Sequence, residues 1–150
     1  MDYIQNKPYF LFSALIVILL CFGFYKGNET IAINIHDTYF VISWKHLMIL
    51  ISIIYGLLAL IYFALMKFNF NLINWLTISH VLISIIGLII IFILPRLIKD
   101  SLPIDFSTIM EDTRFNERIG YGIWGSVFAL FGAQFLFFIN VIYALIKGRF

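Results

Sequence analysis

Four long apolar runs constrain this chain more than any other feature. They lie at about 9–25, 39–66, 75–94 and 119–146. Each is long enough to cross a hydrocarbon layer as a helix, which takes about 20 residues. None alternates as a barrel strand does, so the runs predict helices and no sheet. Composition agrees: of 150 residues, 63% are hydrophobic and only 12% charged, with a mean hydropathy of +1.02. A soluble domain would be about a quarter charged. The expectation is an all-α, four-transmembrane-helix bundle forming one membrane domain over residues 1–150, with the lipid bilayer as its first partner.

The first run follows Lys7 and could imitate a signal peptide. Cys21-Phe22-Gly23-Phe24-Tyr25 is too bulky for a cleavage site, so a retained helix is expected. Cys21, the single cysteine, reads as a small hydrophobe. The net charge of +2 is scattered near segment ends, with no nucleic-acid footprint. Lys7, Lys67, Lys147 and Arg149 flank one side against Asp2 alone, while the other side carries the remaining acids. The density of basic residues in short flanks favours N-in and C-in, in a bacterial inner (cytoplasmic) membrane. The loop of His36 and the loop 96–117 then lie outside. Met1 at the start and Lys147-Gly148-Arg149-Phe150 at the end suggest a complete small protein.

Packing signals concentrate in the fourth run. Gly125, Ala129 and Ala133 form a small-residue stripe, and Gln134 and Asn140 can hydrogen-bond across a helix seam. On the second run Lys45, Met48, Ser52, Tyr55, Gly56 and Ala59 share one face.

The polar chemistry gathers at Ile35–His46, which holds two of the three histidines. Asp37 and Thr38 are good N-cap residues, so a helix entered there would carry Ser43, Trp44, Lys45 and His46 about two turns in. Ionisable groups at that depth are functional candidates. His46 can ligate a haem iron or hydrogen-bond a neighbouring helix. Lys45 can snorkel to the interface or line a polar cavity. His36, Asp37 and Glu29 share a loop, but a hard cation such as Mg²⁺ takes oxygen ligands, so magnesium is not expected. A solvated, capped loop is the alternative.

His36-Asp37-Thr38-Tyr39-Phe40-Val41 resembles the H-D-T-Y-[YF]-V start of the tenth helix of subunit I of the haem–copper oxidases (cytochrome c oxidase). Ile78-Ser79-His80 followed by Gly87, then Pro95-Arg96, and Ser126 through Asn140 are similar to the two helices that follow. The likeness spans nearly the whole chain but only the last third of the family's subunit, one four-helix arc. The family continues V-A-H-F-H where this chain has Ile42-Ser43-Trp44-Lys45-His46. The ligand of the oxygen-reducing haem thus falls on Trp44 and is absent. The ligand of the low-spin haem falls on His46 and is kept. His36 and Asp37 fall on a pair near a magnesium and the haem propionates, and Arg96 on a propionate-binding arginine.

The resemblance implies a haem held by His46, with Arg96 or His36 near the propionates, and a role related to electron transfer. It implies no copper, no catalytic residue and no complete oxidase activity from this chain alone. It also implies a homo-oligomer, three copies rebuilding the family's ring of three arcs, with a dimer second. Two other classes stay open: a cofactor-free structural or assembly protein, and a small transporter or channel using Lys45.

Overall fold

The computed structural model describes residues 7–35, 37–99 and 106–148. The order is helix α1 (Pro8–Lys26), strands β1 (Thr30–Ile35) and β2 (Thr38–Ser43), helix α2 (Trp44–Lys67), helix α3 (Asn74–Ile93), a 3-10 turn (Leu94–Leu97) and helix α4 (Phe106–Lys147). All four helices are long and apolar enough to cross a membrane. The described residues divide into two compact units. One holds α1, the strands and α2, with the chain from Ala144 onward; the other runs from Ile73 to Tyr143.

In the first unit, Pro8 opens α1 with a preset φ at a position where no backbone N–H is needed. Gly27 ends it in the left-handed region (φ 55), returning its N–H to the Gly23 carbonyl at 3.0 Å. Phe12, Leu15 and Leu19 bury against α2, where Met48, Tyr55 and Tyr62 face them. The Phe12 ring stacks on Tyr62 at 6.0 Å. Gly23 allows the closest approach: a Cβ there would meet Met48 Cβ at 2.6 Å.

The structure corrects the expectation of no sheet. Thr30–Ile35 and Thr38–Ser43 pair as an antiparallel hairpin, from Thr30 opposite Ser43 to Ile35 opposite Thr38. The Trp44 N–H adds one more bond, to the Glu29 carbonyl at 2.9 Å. Thr38, Tyr39, Val41 and Ile42 are β-branched or aromatic, and their strand preference outweighs the cap that Asp37 or Thr38 would offer. The second helix therefore begins at Trp44, not near residue 39, and Ser43 is its N-cap. Lys45 and His46 lie in the first turn of α2, not two turns inside it.

The second unit is held by α4 along α3. Ile73 precedes α3 and has no side chain with which to cap it. Asn140 does so from α4: its Oδ1 accepts the Ile73 N–H at 2.8 Å, and its Nδ2 donates to the Ile73 carbonyl and to Thr77 Oγ1. At the other end Asn116 Oδ1 accepts the Lys99 N–H (3.0 Å) and Nδ2 donates to the Lys99 carbonyl (2.9 Å). Lys99 Nζ adds a salt bridge to Asp112 at 3.1 Å. Gly87 permits close contact between, since a Cβ there would lie 3.0 Å from the Leu130 side chain. The interhelical role expected of Asn140 is thus observed.

The start of α4 is the other correction. The fourth helix begins at Phe106, not near 119, so much of the expected 96–117 loop is helical. At 1.5 Å per residue its 42 residues span roughly 60 Å, about twice the hydrocarbon thickness of a bilayer. Asn116 and Asp112, bonded to Lys99, hold this polar first part against the end of α3. The small-residue stripe also divides: Ala133 is fully buried, whereas Gly125 and Ala129 are exposed.

Candidate functional site

The site builds from the junction of β2 and α2. Ser43 ends the strand in extended geometry and caps the helix, its Oγ accepting the His46 N–H at 3.4 Å. The same Oγ lies 2.6 Å from His46 Nδ1. One hydroxyl thereby engages both the backbone and the ring of the third residue of α2. This is the spacing of a capping box, with histidine where glutamate or glutamine is usual. In the tautomer whose Nδ1–H donates to Ser43, Nε2 carries the lone pair and can ligate a metal; in the other, the Ser43 hydroxyl donates to Nδ1.

His46 is exposed. Leu50, Ile53 and Leu57 follow it at helical spacing, and all three are exposed. A histidine with a fixed ring thus heads an apolar helix face, the donor and surface that an axial ligand beside a flat apolar macrocycle requires. In that respect the residues fit a haem. Among the described residues no three His, Cys, Asp or Glu side chains gather into a metal cage. A haem iron needs only one or two protein nitrogens, so its case rests on His46.

The neighbours of His46 do different work. Trp44 meets the Phe22 ring edge-on at 5.6 Å. Its indole joins the start of α2 to α1. Lys45 places its ammonium 5.4 Å from the Phe24 ring centre, a cation–π contact at the helix end. Lys45 stands one residue after the start of α2. Asp37 is exposed in the hairpin turn, and His36 lies outside the described residues. Glu29 bonds Lys26 at 2.7 Å. Arg96 is exposed in the 3-10 turn of the other unit.

A second polar group lies within the second unit. His80, Thr77, Ser84 and Asn140 are buried on or against α3. His80 packs on Phe137 at 5.1 Å. These residues join α3 to α4. The Ser43–His46 pair escapes a reading of the sequence that places Ser43 within a helix. The available signal is the S-x-x-H spacing after a β-branched run. No protein-family model, curated protein or solved structure matches this chain.

Proposed function

We propose that this multi-pass membrane protein binds haem through His46, in a role related to electron transfer, and does not reduce oxygen by itself. The observation that carries the reading is the 2.6 Å contact between Ser43 Oγ and His46 Nδ1, at the head of an exposed apolar face. It orients the ring, and in the tautomer with Nδ1–H it presents Nε2 as the donor atom. A haem bound there would supply a one-electron Fe(III)/Fe(II) couple. His46 would hold the iron, Ser43 would hold its ring in place, and Leu50, Ile53 and Leu57 would shield the macrocycle from water. His36 is proposed near the propionates on the strength of the resemblance. Trp44 cannot ligate iron, which removes the oxygen-reducing centre.

The protein is proposed to be a homo-oligomer in a bacterial inner membrane, N-in and C-in, with the arc-like fold of the oxidase subunit. The resemblance favours three copies, each with its own haem. Two copies are the alternative, with a pair of His46 side chains sharing one haem.

The absorption spectrum of protein purified from haem-replete cells tests the reading. A Soret band is expected, lost in His46→Ala and retained in His80→Ala. Colourless protein would overturn it and favour a cofactor-free scaffold. That second reading has its own support: Gly87 and Asn140, both within segments that resemble the family, serve α3–α4 packing. Native mass spectrometry gives the copy number. One haem per chain fits three copies; one per two chains, with a bis-histidine spectrum, fits two.

A further inference from the structure

A cleft of about 330 Å³ lies between the first turn of α1 and the last turns of α2. Tyr9 lines it from α1, and Phe63, Met66 and Lys67 line it from α2. All four belong to the first unit. The volume is at the low end of the range for small-molecule sites, about 300–1,000 Å³. Local sequence accounts for its place. At the hairpin end, Gly23 lets α1 and α2 approach closely. At this end the helices meet through rings instead, Tyr9 against Phe63 edge to face at 5.4 Å, and the cleft lies beside those rings.

The polar side chains of the cleft are the Tyr9 phenol and the Lys67 ammonium. A phenol can donate and an ammonium does nothing else, so this set suits an anion. Lys67 Nζ stands 5.7 Å from the Phe63 ring centre. Lys7 adds a second cation, its Nζ 5.8 Å from the Phe10 ring, which in turn lies 5.0 Å from Tyr9. Elsewhere lysines of this chain hold carboxylates, Lys26 with Glu29 at 2.7 Å and Lys99 with Asp112 at 3.1 Å. Among the described residues Lys7 and Lys67 form no such pair. The described acids of the first unit, Glu29 and Asp37, stand at the hairpin end. The rest of the lining, Phe63 and Met66, is apolar. Because α1 and α2 are long and apolar enough to cross a membrane, their ends stand where hydrocarbon gives way to phosphate headgroups. A ligand at that level has an anionic head and an apolar body, and basic pockets between membrane helices take such headgroups.

We propose that this cleft binds an anionic phospholipid. Its phosphate meets the Lys67 ammonium and the Tyr9 hydroxyl, with Lys7 beside them, and the upper part of its acyl chains runs along Phe63 and Met66. The proposal rests on the membrane-spanning character of α1 and α2 and is independent of haem and of copy number.

Native mass spectrometry of the full chain in mild detergent tests it, with phosphatidylglycerol or phosphatidylcholine added at equal concentration. Retention of phosphatidylglycerol should exceed that of phosphatidylcholine several-fold, and should fall several-fold in Lys67→Gln and in Tyr9→Phe. Lys67→Arg keeps the cation and should keep the lipid. Lys26→Gln, at the hairpin end, should bind as the unaltered chain does. Equal retention of the two lipids, or undiminished retention in Lys67→Gln, would overturn the site. A loss in Lys26→Gln as large as in Lys67→Gln would show general charge attraction and overturn it equally. Thermal unfolding gives a second readout. Phosphatidylglycerol should raise the Tm of the unaltered chain and of Lys67→Arg, and leave that of Lys67→Gln where it was; an equal rise in all three would count against the cleft. Inorganic phosphate separates the lipid from the free ion: it should not displace the lipid, and displacement by phosphate alone would overturn the phospholipid as the ligand.

Discussion

Asn140 shows how much one side chain decides in an apolar setting. It is fully buried, and its amide serves the N–H and carbonyl of Ile73 together with the Thr77 hydroxyl. Asn140→Ala leaves the Ile73 N–H without that acceptor. The expected loss is about 1–2 kcal/mol, the upper range for interhelical hydrogen bonds in membranes, read by unfolding in mixed detergent micelles. A change within experimental scatter would refute the capping role. Ser43→Ala removes an N-cap at a cost of about 1 kcal/mol and releases the His46 ring. Hydrogen exchange at the His46 amide should speed up, and any Soret band should weaken while copy number holds.

Between elements, glycines separate close contact from open surface. Gly23→Ala drives a methyl group into Met48 and should cost about 1–3 kcal/mol, as overpacking does. Gly120→Ala meets nothing within 4 Å and should stabilise α4 by roughly 0.5–1 kcal/mol through helix propensity. The opposite signs are the test, and thermal unfolding of both variants in one detergent reads them. The polar start of α4 depends on Asn116 and Asp112. Asn116→Ala should raise hydrogen exchange over 107–118 and leave the apolar run protected; equal protection throughout would show that this segment needs no anchor.

For the whole molecule, the proposed topology of four crossings puts both chain ends on one side and the hairpin and the start of α4 on the other. Asp37→Cys and Glu111→Cys, each with Cys21→Ser, should react with a membrane-impermeant maleimide applied to the periplasmic face. Lys67→Cys should react only after permeabilisation. The reverse pattern would invert the orientation. Labelling of residues 37 and 111 from different sides would break the four-span topology.

The sequence alone determined that there are four apolar helices and where most of their ends lie, because hydropathy over long runs is a local property that neighbours rarely override. Pro8, Gly27 and Pro95 also act locally, through fixed or permitted φ and a missing N–H. The tertiary structure decided the rest. Tyr39–Ile42 is apolar enough to pass for the start of a helix, and only pairing with Thr30–Ile35 makes it a strand. That pairing moves the helix start to Ser43, and with it Lys45 and His46 to the first turn. The segment 106–118 is polar and looks like a loop until Lys99 engages Asn116 and Asp112 across the chain. Gly125, Ala129 and Ala133 read as one stripe in sequence, yet the helix divides them, because which side of α4 faces α3 is set by Asn140, Ser126 and Gly87. Spacing shows that a face exists; only contact with another element shows which way it points.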